Sequence, residues 1–278
     1  FPYTTLFRSV LPNGRYSGGP MWTLKNGLAA KGMPRLGKIL GGIYACFAIL
    51  AFIQTIQVNQ SYSQVQSVLG LSEGLGPAMA YGIGISVLAA LVLLGGAHSI
   101  AKVTARLTPL MCLAYLIGVF SILALNVTEI PHAVSLIVSQ AFQPDSVAGG
   151  AIGAFIAGMR RAASSNEAGI GSAAIAHSAA KVSNPVEEGI VSLLEPFIDT
   201  IVVCTITALV IIITGAYLDP ANAEIIAQNQ GGALTSAAMG SVIPWFPYVL
   251  SVAVFLFAFS TMISWSYYGE RCWAYLFG

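Results

Sequence analysis

Charge is what this chain most lacks: only 8% of its 278 residues are Asp, Glu, Lys or Arg, against roughly 25% in an ordinary soluble domain. The formal net charge of +1 provides no basic field for nucleic acid and no acidic field for a basic partner. Four cysteines, Cys46, Cys112, Cys204 and Cys272, stand singly with no CxxC pair. They read as small apolar packing residues rather than as a disulfide framework or a thiolate metal site. Neither HExxH nor GxSxG occurs, and the run GIGSA places its serine wrongly for the second, so no motif points to an enzyme buried in the membrane.

What remains is apolar: 56% of the residues are hydrophobic and the mean hydropathy is +0.78. The chain is an all-α integral membrane protein whose main partner is the lipid bilayer. A hydrocarbon core about 30 Å thick takes roughly 20 apolar residues per helix. That rule predicts six spans, near 39–62, 77–95, 107–126, 150–180, 190–217 and 243–267, the fourth interrupted. Alternate connections hold Lys25, Lys31, Arg35, Lys38, Lys102, Arg106, Lys181 and Arg271, whereas the other set holds Glu73, Glu129, Asp145, Asp219 and Glu224 with no Lys or Arg. The positive-inside rule makes the first set cytoplasmic and predicts a multi-pass protein of the plasma (inner) membrane. Both long external loops, from Asn126 and from Tyr217, carry apolar stretches too short to span, such as AVSLIVSQAF. Such pieces lie at the surface or cap a vestibule.

The first nine residues, FPYTTLFRS, resemble the translation of a sequencing-library adapter and are set aside. Residues 10–278 read as part of something longer.

The fourth span carries groups that hydrocarbon penalises, in SSNEAGIGSAAIAHSAAK from Ser164 to Lys181. Irregular backbone at membrane depth survives only when buried in protein or lining a cavity. Gly169 and Gly171 each weaken a helix by about 1 kcal/mol relative to Ala, and Asn166 and Glu167 are costly in lipid. A break there predicts a first half-helix ending near Asn166 and a second running from about Ser172 to Lys181, with Ser172 as its N-cap. Freed N–H groups would favour an anion and freed carbonyls a cation. The competing reading is a close helix contact through small residues. Glu167 either braces the break or touches substrate. Arg160 and Arg161 either pair with a buried acid such as Glu167 or mark a misplaced span. His177 is either hydrogen-bonded packing or a proton relay.

In the first span Gln54, Gln57, Gln60, Ser61 and Gln64 fall within about 120° on a helical wheel, a polar stripe facing either a hydrated cavity or the surface. In the last, Ser260, Thr261, Ser264 and Trp265 cluster in FAFSTMISWSYYGE. Their hydroxyls either ligate a hard cation or bond back to their own helix. Thr261 and Trp265 stand one turn apart. Glu195 and Asp199, also one turn apart and beside Pro196, read as gate or packing residues, with a proton pathway as the rival.

The runs NGRYSGGPMWTLKNGL (13–28), SSNEAGIGSAAIAHSAAKVSNPVEEG (164–189), FIDTIVVCTITALVI (197–211) and FAFSTMISWSYYGERC (257–272) together resemble the alanine or glycine:cation symporter family, also called sodium:alanine symporters. The resemblance extends from about residue 13 to the end. It implies a fragment of a leucine-transporter-type fold of two inverted five-helix repeats, with the six spans as its third to eighth helices and the broken sixth helix around NEAGIG. It implies an amino-acid pocket lined by Asn166, Glu167, Ala168, Gly169, Ile170, Gly171 and Ser172, with Gln60 or Gln57, Thr261 and Trp265. Sodium would be held by Ser260 or Thr261. The expected activity is inward symport of sodium with a small neutral amino acid, alanine or glycine, without an organic cofactor or covalent chemistry. The alternatives are a proton-coupled permease using Glu167, Glu195, Asp199 or His177, and a sensor or channel built on the same bundle. No oligomeric state follows from the sequence.

Overall fold

A computed structural model of the chain describes residues 9–10, 16–51, 55–72, 74–141, 155–156, 159, 170–180, 182, 184–228 and 230–278. A two-residue antiparallel pair, β1 (Ser9–Val10) and β2 (Tyr16–Ser17), precedes α1 (Pro20–Ala30), α2 (Pro34–Ala51), α3 (Thr55–Leu69), α4 (Leu75–Leu93), α5 (Gly96–Leu125) and α6 (Ile130–Ala141). Next come α7 (Ala173–His177), α8 (Pro185–Val191), a single turn Leu194–Pro196, a π-helical stretch Phe197–Cys204, α9 (Thr205–Ile213), α10 (Ala223–Ala227), α11 (Gly231–Val242) and α12 (Phe246–Phe277).

Among the described residues five stretches are long and apolar enough to cross a membrane: Pro34–Ala51, Leu75–Leu93, Ser99–Leu125, Val186–Ile213 and Phe246–Phe277. They match five of the six expected spans; most of the fourth, 150–180, lies outside the described residues. Of the first, 39–62, α2 accounts for the part up to Ala51 and α3 for the part from Thr55, and residues 52–54 lie outside the described residues. The run TIQVNQSYSQVQSVL of α3 is too rich in Gln, Asn and Ser to join the apolar set.

The first unit comprises Phe1–Ile53, Pro144–Val202 and Trp265–Gly278. Here α1 opens with Pro20 at its first position, where the missing amide donor costs nothing, and closes on Gly32 at φ +79°. Met33 N–H donates to Leu28 O at 2.8 Å and Gly32 N–H to Ala29 O at 3.0 Å, a Schellman ending that satisfies two end carbonyls. The chain then turns back into α2, whose buried face is Gly37, Gly41, Ala45 and Ala48. A Cβ on Gly37 would stand 2.6 Å from Leu24 O, and one on Gly41 2.7 Å from Met21 O. Only bare α-carbons let the two backbones meet this closely, which is how helices associate where water provides no drive.

The second unit comprises Gln54–Gln143 and Val203–Ser264. Its core joins Val119, Ile122, Leu209, Val210, Met239 and Phe246, all under a tenth exposed. Gly118 gives room for the Phe246 ring, which any Cβ there would overlap at 1.9 Å. The two long loops carry α6 in one case and α10 and α11 in the other.

Candidate functional site

Gly171 adopts φ +80°, outside right-handed helical geometry, a conformation that would cost a residue with a Cβ about 1–2 kcal/mol. Turn residues 170–172 lead into α7, which spans Ala173–His177 and then gives way to another turn. The second half-helix is therefore shorter than the expected 172–181. Ser172 occupies the N-cap place, but with a helical φ of −65° and no capping bond from its side chain. The expected cap is corrected: a residue already in helical geometry does not aim its hydroxyl at the open amides.

The break is packed from one side by the start of α1. Gly19 stands at φ +113°, and a Cβ there would lie 2.5 Å from Ile175 Cγ1. Pro20 Cγ would lie 2.9 Å from a Cβ on Gly171. Ser172, Ala173, Ala174 and Ile175 are buried, whereas Ile170 is 39% exposed. Ile175 joins Met21, Ala45, Ala48, Trp265, Tyr268 and Cys272 in one buried cluster. Trp265 is held edge-on against Tyr268, ring centres 5.5 Å apart at 67°. Of the expected pocket, Gly171, Ser172 and Trp265 fall in the first unit, where Ile175 shares the buried cluster of Trp265. Asn166, Glu167, Ala168 and Gly169, with Arg160 and Arg161, lie outside the described residues.

Gln57, Gln60, Ser260 and Thr261 belong to the second unit. Gln57 is half-buried and Gln60 exposed. Of the rest of the polar stripe Gln54 lies outside the described residues, Ser61 shares a 2.6 Å hydrogen bond with the Tyr81 hydroxyl, and Gln64 Nε2 donates to Ser236 Oγ at 2.8 Å. Ser260 donates to Phe257 O at 3.0 Å within its own helix. A hydroxyl so engaged keeps oxygen lone pairs able to ligate a cation. Thr261, next along α12, is half-buried.

His177 is not isolated. Its Nδ1 lies 2.6 Å from Glu188 Oε1 and its Nε2 3.4 Å from Glu195 Oε2. Asn184 positions the first of these acids: its Oδ1 accepts from Val186 N–H at 3.0 Å and caps α8 just ahead of Glu187 and Glu188. Beyond Glu195, Pro196 has no amide hydrogen for the helical ladder, and the next residues run as π-helix through Asp199.

Sequence reasoning missed Gly19, Pro20, Met21 and Tyr268 as packing partners of the break. The run SGGPMW signals a turn followed by a helix start, yet nothing in it announces a contact 150 residues away.

The sequence profile of the sodium:alanine symporter family matches residues 3–278. The sodium/alanine symporter AgcS of Methanococcus maripaludis is 38% identical over 273 residues, covering 98% of this chain and 58% of that protein. An uncharacterized transporter of Haemophilus influenzae is 35% identical, with 96% of this chain and 57% of that one covered. The putative sodium/proton-dependent alanine carrier protein YrbD of Bacillus subtilis is 34% identical over 96% of this chain and 55% of its own length. The chain thus spans a little over half the length of these curated relatives. A multi-pass protein of the plasma membrane, the chain belongs to the sodium:alanine symporter family.

Proposed function

We propose that this chain is the third-to-eighth-helix piece of a secondary transporter of leucine-transporter type that moves alanine or glycine inward with sodium. The observation that carries the reading is the left-handed Gly171 between the NEA run and α7. A crossing interrupted at that point leaves peptide N–H and C=O groups without helical partners, and these suit the two charged ends of a zwitterion. The substrate carboxylate meets N–H groups at the break and its ammonium meets carbonyls, both from Asn166 to Ser172. Gln60 or Gln57 and Thr261 complete the polar lining. Trp265, fixed by Tyr268, limits the side chain to a methyl group or a hydrogen. Ser260 and Thr261 contribute oxygen ligands to sodium. Ion and substrate each stabilise the occluded arrangement, and alternating access does the rest without covalent chemistry.

Proton coupling is the second reading. It is favoured by the two carboxylates on the His177 ring and by relatives named as sodium/proton-dependent alanine carriers. The test is labelled alanine uptake by the longer protein in liposomes under imposed gradients. Uptake driven by an inward sodium gradient at equal pH supports sodium symport. Uptake that follows a proton gradient and ignores sodium contradicts it.

A further inference from the structure

Arg271 is the one buried cation among the described residues: it is 8% exposed, and its Nε is sealed from solvent without a hydrogen-bond acceptor among them. The two ion pairs among the described residues both belong to His177, so no described carboxylate answers Arg271. A guanidinium largely withdrawn from water, its Nε sealed, is disfavoured without an anion, and the face of Tyr267, 4.8 Å from Arg271 Cζ, is a weak substitute. One turn further along α12 stands Tyr275, and Lys25 Nζ lies 5.6 Å from its ring and 4.9 Å from that of Trp22. Lys25 likewise has no ion pair among the described residues.

Depth narrows the choice of anion. Arg271 follows Phe246 by 25 residues, about 37 Å of helix, beyond a hydrocarbon core of about 30 Å. The basic loops put this end of α12 on the cytoplasmic side, where the leaflet carries anionic lipid. Trp22, Tyr267, Tyr275 and the 58% exposed Trp273 supply the aromatic collar found at headgroup level. We propose that Arg271 and Lys25 form a seat for a phosphate-bearing anion, the headgroup of an anionic phospholipid of the cytoplasmic leaflet. The terminal guanidinium nitrogens grip the phosphate through directed N–H bonds, and Lys25, beside the Tyr275 ring, adds positive charge on the same end of α12.

The test is thermal unfolding of the longer protein, purified in a neutral detergent, with dioleoylphosphatidylglycerol, dioleoylphosphatidylcholine or inorganic phosphate added. The expected result is a saturable rise in Tm with phosphatidylglycerol alone. Arg271→Gln should weaken its apparent affinity by at least about tenfold. Lys25→Gln, at a half-buried position without an ion pair, should keep the fold and weaken the response by a smaller factor; it serves if Arg271→Gln does not fold. Equal responses to both lipids, or responses unchanged in both variants, would overturn the seat. A rise with inorganic phosphate that depends on Arg271, without one for phosphatidylglycerol, would overturn the lipid and leave a free phosphate in its place.

Discussion

Gly171 and Pro20 are in contact, and the space between them has no room for a methyl group: a Cβ on the glycine would stand 2.9 Å from the proline Cγ. With φ at +80°, Gly171→Ala meets a steric and a conformational penalty together, about 2 kcal/mol or more. Gly42 in α2 is the control. Its Cβ would meet nothing within 4 Å, so Gly42→Ala should be neutral or stabilise by up to about 1 kcal/mol. Denaturation of both variants in detergent checks the pair; equal midpoints would remove the strained turn from the account.

Gln64 and Ser236 tie α3 to α11 by a single buried hydrogen bond. Gln64 Oε1 is itself buried without a donor among the described residues. Ser236→Ala should therefore cost about 1–3 kcal/mol by stranding the whole amide. In Gln64→Leu the same serine change should cost far less. A double-mutant cycle measures the coupling, and strict additivity would show that the bond contributes nothing.

The two acids on His177 should not be equivalent. Glu188 sits at 2.6 Å and Glu195 at 3.4 Å, and a hydrogen bond weakens steeply with length. Glu188→Gln is expected to destabilise the first unit more than Glu195→Gln, and His177→Gln at least as much as either. Hydrogen exchange across residues 173–196 reads the order; a larger effect from Glu195→Gln would reverse it.

Thr261→Val replaces a hydroxyl with a methyl of nearly the same shape. In the longer protein it should lower sodium-dependent alanine uptake per folded molecule by about 1–2 kcal/mol of lost interaction, roughly tenfold. Unchanged uptake would dismiss the hydroxyl from the site.

The spans were legible because twenty apolar residues in a row have few other uses, and the turn at Gly171 because two glycines follow Asn166 and Glu167, which lipid rejects. The wheel found the stripe's common face, but not that Tyr81 and Ser236 would meet Ser61 and Gln64. The partners of His177 lie 11 and 18 residues away, spacings set by the turns between α7, α8 and the Leu194–Pro196 turn, which sequence pattern leaves open. The short length of α7 was hidden as well, because SAAK reads as good helix and only the fold makes Ser178 donate back to Ile175 O.

The central claim is that the irregular backbone before α7 grips the amino acid. Ile170, 39% exposed beside Gly171, reports on it directly. With every native cysteine replaced by alanine, Ile170→Cys in the longer protein is labelled by a thiosulfonate reagent with and without alanine, in the presence and absence of sodium. The account predicts that alanine slows labelling at least about tenfold in sodium and has no effect in its absence. Labelling at one rate under all four conditions would contradict it.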